Sequence, residues 1–225
     1  MLLLVSALAG CAASIGGSPA PESTADPDAS AAAPRAAWLD ASSFVLQTEG
    51  GACAPIIEEL VVGDQELDVM LADRGTSDCA ADAGPHGMYL GLPAGFDSAR
   101  PVTVNVTEPH GASTAITLPG LASGALIPAD MPADQVPAAA WIDEGELAVL
   151  TWGSSTCVPG SGDAVDDGDA KALVRLHEPT DTICTMDYVP RITFVNAPGI
   201  EPDAVIILEG AVDDEGNPFV ITPVR

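Results

Sequence analysis

The sequence predicts an all-β protein built from two tandem, small antiparallel β-sandwich-like domains that arose by internal duplication, each with one disulfide. Short apolar runs alternate with turn residues along the chain, no stretch combines helical periodicity with capping residues, and one arrangement of tryptophan, cysteine and proline occurs twice. A chain of 225 residues has room for two small domains of this kind.

Each copy is expected to contain a short series of strands separated by Gly, Pro and Asp, which are the residues of tight turns. The strands predicted in the first copy are 44–46, 66–71, 88–90, 102–106 and 115–118. Those predicted in the second copy are 147–150, 172–176, 192–195, 205–208 and 219–222.

The duplication is predicted from anchors that recur in the same order with nearly constant spacing. The first copy is expected to span 37–119 and the second 140–225, and the Ala- and Pro-rich stretch 120–139 is expected to be a linker. The matched anchors are Trp38 and Trp141, Cys53-Ala54-Pro55 and Cys157-Val158-Pro159, and Cys79-x-x-Asp82 and Cys184-x-x-Asp187.

The first residues form an apolar run that ends in Leu8-Ala9-Gly10-Cys11. Small residues just before a cysteine fit the pocket of a signal peptidase, and the segment resembles the lipobox of bacterial lipoproteins. The resemblance implies that residues 1–10 are a signal peptide and that Cys11 becomes an acylated N-terminus. It places the protein on the extracytoplasmic side of the cell membrane, anchored by lipid. Because no Lys or Arg precedes the apolar run, we expect the basic part of the signal to lie upstream of Met1.

Residues 11–36 are dominated by Ala, Ser, Pro, Gly and acidic residues. Such a composition cannot bury enough apolar surface to offset its conformational entropy. The stretch is therefore expected to be a disordered tether between the membrane and the folded part.

Four cysteines remain once Cys11 is assigned to lipid, an even number in a protein directed to an oxidising compartment. Four cysteines allow three pairings, and the repeat favours the one within each copy. The expected disulfides are Cys53–Cys79 and Cys157–Cys184, each worth about 3.5 kcal/mol in the chain-entropy description.

The charge argues against two functions, nucleic-acid binding and binding to a membrane surface through basic residues. With 33 acidic and 7 basic side chains, the formal net charge is −26. Such a chain repels the phosphates of nucleic acids and the anionic surface of a bilayer. Nucleic acid is therefore not an expected partner.

The second copy contains the segment Gly153-Ser154-Ser155-Thr156-Cys157-Val158-Pro159, followed later by Cys184-x-x-Asp187. It resembles a G-S-S-x-C-x-P … C-x-x-D pattern found in secreted and lipid-anchored actinobacterial proteins that have no assigned activity. The resemblance therefore implies a location and supplies no chemistry.

Two kinds of site are alternatives to a purely structural role. Ser154 or Ser155 with His177 and an aspartate would supply a hydrolytic triad, but no G-x-S-x-G elbow is present and a turn is favoured. Acidic residues in two segments would suit calcium, although neither keeps EF-hand spacing and solvated turns are favoured. Those residues are Asp163, Asp166, Asp167 and Asp169, and the segment Asp213-Asp214-Glu215-Gly216-Asn217.

The three histidines, His86, His110 and His177, show no spacing typical of a metal site. No catalytic residue, metal or cofactor is therefore predicted. The expected function is that of a lipid-anchored cell-envelope protein acting as a non-catalytic binding or structural module, with the membrane at Cys11 and an unidentified protein or cell-wall polymer as partners. A small secreted hydrolase and a calcium-dependent adhesion module are the alternatives.

Overall fold

A computed structural model describes residues 32–51, 53–75, 84–122, 136–180, 183–212 and 215–225. These residues form fourteen β-strands in three sheets and contain no helix, so the all-β prediction is confirmed. The strands are β1 (Arg35–Asp40), β2 (Ser43–Gly50), β3 (Ile56–Val62), β4 (Glu66–Ala72), β5 (Gly84–Gly91), β6 (Val102–Thr107), β7 (Ser113–Leu118), β8 (Ala138–Asp143), β9 (Glu146–Gly153), β10 (Gly162–Gly168), β11 (Lys171–Leu176), β12 (Val189–Asn196), β13 (Val205–Val212) and β14 (Pro218–Ile221).

The strand order is the same in the two halves of the chain. The first half forms a three-stranded sheet β1-β2-β5 and a four-stranded sheet β3-β4-β6-β7. The second half repeats this order as β8-β9-β12 and β10-β11-β13-β14. The prediction of purely antiparallel sandwiches is wrong. β4 pairs with β6 in parallel, and β11 pairs with β13 in parallel.

One connection distinguishes the halves. In the second half, β10 and β12 pair in parallel at Gly162 with Val195 and at Asp163 with Asn196, which joins its strands into one seven-stranded sheet. In the first half, the described residues of β3 pair only with β4, so β3 is an edge strand.

Three buried clusters separate the sheets into layers. Trp38 and Phe44 lead the cluster between β1-β2-β5 and β3-β4-β6-β7. Leu147 and Val149 belong to the matching cluster of the second half. A third, alanine-rich cluster packs β1-β2-β5 of one half against β8-β9-β12 of the other. The two three-stranded layers are therefore central and are covered on both faces.

Burial on both faces explains the sequence of the central strands. The first six residues of β2 are all buried, as are five consecutive residues of β9. A strand in this position reads as a continuous apolar run and loses the alternation expected of a half-exposed strand. Gly87 of β5 shows how closely the layers meet, since a Cβ there would lie 2.3 Å from Ile192 Cγ2 of β12.

The folded region extends beyond the predicted boundaries. β1 begins at Arg35, inside the predicted tether, because Arg35 donates to Asp143 at 2.5 Å and to Glu146 at 2.9 Å in the other half. β8 begins at Ala138, inside the predicted linker, where alanines fill the core between the halves. Residues 31–225 form one compact unit in which the two halves share a core. The central part of the predicted linker, 123–135, lies outside the described residues.

Four strands were not predicted: β1, β3, β8 and β10. The most instructive is β10, whose acidic residues were expected in turns. Asp163, Asp166 and Asp167 instead lie on a strand paired with β11, with their side chains exposed to water. Asp169 does lie in the following turn, where its φ of 52° is left-handed.

Candidate functional site

The disulfide Cys157–Cys184 is formed, as predicted for the second copy, with its Cα atoms 5.3 Å apart. The segment around Cys157 is held by β12: Arg191 Nη1 donates to the carbonyl oxygen of Cys157 at 2.7 Å, and Thr193 Oγ1 donates to that of Pro159 at 3.2 Å. Gly153 leaves room for this arginine, because a Cβ at that position would lie 2.7 Å from the guanidinium carbon of Arg191. The disulfide loop is therefore fixed to the sheet at several points.

Beside the disulfide lies a hydroxyl cluster, which we define as Ser154, Ser155, Thr156, Thr185 and Asp187. The Oγ atom of Ser154 is 2.8 Å from Thr185 Oγ1, and Thr156 Oγ1 accepts from the Thr185 amide at 3.0 Å. Asp187 Oδ1 accepts from the Ser155 amide at 3.1 Å and from the Thr185 hydroxyl. The two serines and the aspartate of the G-S-S-x-C-x-P … C-x-x-D pattern thus belong to one hydrogen-bonded cluster.

Hydrogen bonds determine the charge state of the hydroxyl cluster. Bonds from Ser155 and from Thr185 to the carboxylate lower the pKa of Asp187 to about 2, even though the group is exposed. The carboxylate therefore stays charged in acid that would protonate an ordinary aspartate. The hydrogen bonds among the residues of the cluster hold this segment in one conformation. This agrees with the interpretation of Ser154 and Ser155 as turn residues.

Aromatic rings lie next to this loop. Trp152, at the end of β9, contacts Tyr89 edge to face and is stacked on Tyr188 with 6.2 Å between ring centroids. Tyr188 is 56% exposed, and Ile183 and Met186 of the same loop are almost fully exposed. The disulfide loop therefore presents apolar side chains from a rigid base.

The structure does not join Ser154 or Ser155 to His177, as the triad that was rejected in favour of a turn would have required. Both serines hydrogen-bond within the hydroxyl cluster. His177 follows β11 and contacts Ser161 and Asp163 instead. Ser161 was not among the predicted candidates, because no motif marks it and only the two serines beside Cys157 belong to a recognisable pattern.

The remaining predicted cysteines are only partly within the described residues. Cys53 is disulfide-bonded. Cys79 and Cys11 lie outside the described residues, so the Cys53–Cys79 pairing and the lipidation of Cys11 stay predictions.

The residues weighed for metal binding are scattered. His86 Nε2 lies 2.5 Å from the carbonyl oxygen of Gly51, and His110 is exposed in the turn between β6 and β7. Asp213 and Asp214 lie outside the described residues. Within the part of the chain that the structure describes, no three His, Cys, Asp or Glu side chains gather as metal ligands.

The largest group of exposed apolar side chains lies on β3, and we call it the apolar edge. Its five members are 39% to 49% exposed and occupy one strand whose outer side pairs with no other described residue. This surface was not identified from the sequence, although two short apolar runs, 56–57 and 60–62, lie on either side of two glutamates there. The members of the apolar edge are Ile56, Ile57, Leu60, Val61 and Val62.

Part of the apolar edge belongs to the inner face of its sheet. Ile57, Leu60 and Val62 pair with Leu71, Val69 and Leu67, which are all buried in the core of the first half. Paired residues of neighbouring strands point to the same face. These three side chains therefore extend the core surface to a border where it is left open to solvent.

No helix among the described residues is long and apolar enough to cross a membrane. No protein family, no curated protein and no solved structure matches the chain.

Proposed function

We propose that this chain is a lipid-anchored protein of the cell envelope that binds a partner protein by adding a strand of the partner to the apolar edge. The observation that carries the proposal is β3 itself: an edge strand with five exposed apolar side chains. Exposed edges of this kind are templates for another chain, and most proteins protect them. Main-chain hydrogen bonds supply affinity in such complexes, and alternate side chains supply specificity.

The chemistry of the partner follows from the charges on β3. Glu58 and Glu59 lie in the middle of the apolar edge and are exposed. A partner strand with apolar residues and a Lys or Arg opposite these glutamates would complement both features, since opposite charges across a strand pair stabilise it.

A second copy of this chain is a poorer occupant. Each chain has a net charge of −26, so two chains repel each other. In the antiparallel pairing that aligns Ile56 with Val62, Glu59 would face its own copy, and like charges in that position are destabilising. The two glutamates therefore favour a basic partner over self-association.

The anchor gives this edge its place in the cell. We propose that Cys11 is acylated, as the Leu8-Ala9-Gly10-Cys11 segment predicts. From Cys11 to the start of β1 at Arg35, a fully extended chain would reach about 80 Å. Such a tether would be long enough to let the apolar edge clear the bilayer.

We further propose that the two halves descend from one duplicated unit, each with its own disulfide. The common strand order and the parallel pairs β4–β6 and β11–β13 support this origin. The Cys53–Cys79 disulfide is the remaining element of that proposal.

Binding is tested with a synthetic peptide that alternates valine and lysine, titrated against the purified protein by fluorescence anisotropy. We expect saturable binding that weakens as salt is added, and no binding of the twin peptide that alternates valine and glutamate. The double variant Glu58→Lys/Glu59→Lys should reverse the preference. The matched control, Asp166→Lys/Asp167→Lys on β10, should leave it unchanged. Equal binding of both peptides would contradict the proposal.

The anchor is tested separately by replacing Cys11 with alanine in a gene that includes any upstream signal sequence. We expect the variant to leave the membrane fraction, because it cannot accept an acyl chain. Membrane association equal to that of the parent would contradict lipidation and would leave the peptide result unaffected.

A further inference from the structure

A groove of about 370 Å³ opens between the two halves of the chain. Pro85 of the first half and Phe194 of the second provide apolar lining, and Glu146, Asn196, Ser161 and Asp163 provide polar lining. Of these six residues, Ser161 directly precedes β10 and Asp163 is its second residue, and glycines flank the serine on both sides. The serine is thus presented at a wall of the groove by a segment with little side-chain bulk.

His177 connects the two polar residues. Its Nδ1 atom lies 3.3 Å from Ser161 Oγ, and its Nε2 atom lies 3.2 Å from Asp163 Oδ2. The His177 amide also donates to the Ser161 carbonyl oxygen at 2.9 Å, which fixes the two residues relative to each other. A hydroxyl within reach of an imidazole that a carboxylate orients is the arrangement of an activated nucleophile.

We propose that Ser161 and His177 are the catalytic residues of a serine esterase, with Asp163 as the positioning residue. Asp163 accepts the Nε2 proton of His177, so the Nδ1 lone pair faces the hydroxyl of Ser161. The imidazole is therefore held in the tautomer that can accept the serine proton. This activity goes beyond partner binding at the apolar edge, and it departs from the expectation of a non-catalytic module.

The reaction follows from that geometry. Ser161 Oγ forms a bond to the carbonyl carbon of an ester while its proton moves to His177 Nδ1. The carbon–oxygen bond to the alcohol then breaks, and the alcohol leaves with the proton from Nδ1. Water, activated by the same imidazole, attacks the acyl-serine and releases the carboxylic acid and the free serine.

The lining of the groove selects the class of substrate. Glu146 and Asp163 contribute carboxylates to the lining, and the chain carries a net charge of −26, so an anionic ester is repelled. Pro85 and Phe194 offer an apolar surface for a short acyl chain. The groove therefore suits a neutral ester with a small acyl group.

The experiment exposes the purified protein to a fluorophosphonate probe and maps the modified residue by mass spectrometry. Hydrolysis of 4-nitrophenyl butyrate is measured in parallel. We expect the probe on Ser161, no labelling or turnover in Ser161→Ala, and a loss of about 100-fold or more in the labelling rate of His177→Ala, the range for a general base. Ser154→Ala is the matched control, since Ser154 contacts no histidine among the described residues, and it should label and turn over as the parent does.

Asp163→Asn distinguishes positioning from a structural role. We expect kcat to fall while KM stays the same, because the substrate is still bound but the imidazole is no longer held in the reactive tautomer. The far-UV circular dichroism spectrum confirms that each variant is folded. No labelling of the folded parent, or labelling that survives in Ser161→Ala, would overturn the proposal. Labelling should be unchanged in Glu58→Lys/Glu59→Lys, so the esterase and the apolar edge can fail independently.

Discussion

β3 and β10 occupy the same place in the two halves. Among the described strands, β3 pairs only with β4, whereas β10 also pairs with β12. We call the free side of β3 the open edge and the paired side of β10 the closed edge. Leu71 and Leu176 are matched positions of the repeat, and they pair with Ile57 and Gly162 respectively. A Cβ at Gly162 would lie 2.9 Å from Val195 Cγ2 of β12. The glycine therefore lets β12 approach β10, whereas the matching position of β3 carries the larger side chain of Ile57.

The difference continues along the strands. The inner face of β3 carries Leu60 and Val62, and the matching positions of β10 carry Ala164 and Asp166. The closed edge can be acidic because its backbone groups already have partners, whereas the open edge keeps apolar side chains that gain from being covered. The open and the closed strand thus differ at three matched inward-facing positions, and each of the three is more apolar or larger in β3.

Disulfide removal should have the largest effect. In the double variant Cys157→Ser/Cys184→Ser we expect a loss of about 3.5 kcal/mol in the free energy of unfolding, because the loop closed by the bond gains entropy in the unfolded chain. Urea denaturation measures it.

Cys53→Ser/Cys79→Ser should cost about the same, since the two loops are of similar length. Each double variant should leave the other disulfide intact in non-reducing peptide mapping. A peptide linking Cys53 to Cys157 or to Cys184 would show that the predicted pairing of the first copy is wrong.

Gly162→Val should reopen the closed edge. The added side chain meets Val195 and the Arg175 carbonyl oxygen, so we expect a loss of about 1 to 3 kcal/mol from overpacking. Gly160→Val is the control, because a Cβ there has no atom within 4 Å. Equal unfolding midpoints for the two variants in urea would contradict the explanation given for the β10–β12 pairing.

Removing the charges from the open edge should allow self-association. In Glu58→Val/Glu59→Val we expect dimers or larger species, with a dissociation constant about fivefold lower, since the facing pair of Glu59 side chains costs up to about 1 kcal/mol. Light scattering coupled to gel filtration reports the mass. Asp166→Val/Asp167→Val on the closed edge should stay as monomeric as the parent.

The smallest effect concerns pH at the hydroxyl cluster. The pKa of Asp187 is lowered to about 2, below its usual value of about 3.9, so its contribution is complete above the usual value and is lost as pH falls through about 2. The amide resonance of Ser155, followed by NMR from pH 5 to pH 1.5, should titrate near 2. In Asp187→Asn the resonance should show no such step. A midpoint near 3.9 in the parent would contradict the hydrogen-bonded carboxylate.

Much of the fold could be predicted because local patterns were strong. The alternation in β4 and β6 marks strands with one buried face, and the recurring anchors gave the pairing of Cys157 with Cys184. The core between the halves was missed because its residues are small: β8 begins with three alanines, which look like a linker until a second sheet covers them.

The candidate sites could be predicted only in part. The residues of the hydroxyl cluster were visible as a pattern, but the partner of His177 depends on how β10 lies against β11, which no local signal indicates. The apolar edge was visible as composition, yet its exposure depends on β3 having a neighbour on one side alone among the described strands. Sequence therefore indicates which residues are unusual more reliably than which residues meet.

Arg35 has a mechanical consequence. It is the first residue of β1, and its guanidinium bridges Asp143 and Glu146 of the other half. Glu146 also accepts from Gln47, the residue opposite Arg35 on β2. A force pulling on the N-terminal end of the chain reaches the fold at this point. It loads the ion pairs between the halves together with the β1–β2 ladder, so the tension is shared by both copies before the first strand can peel away.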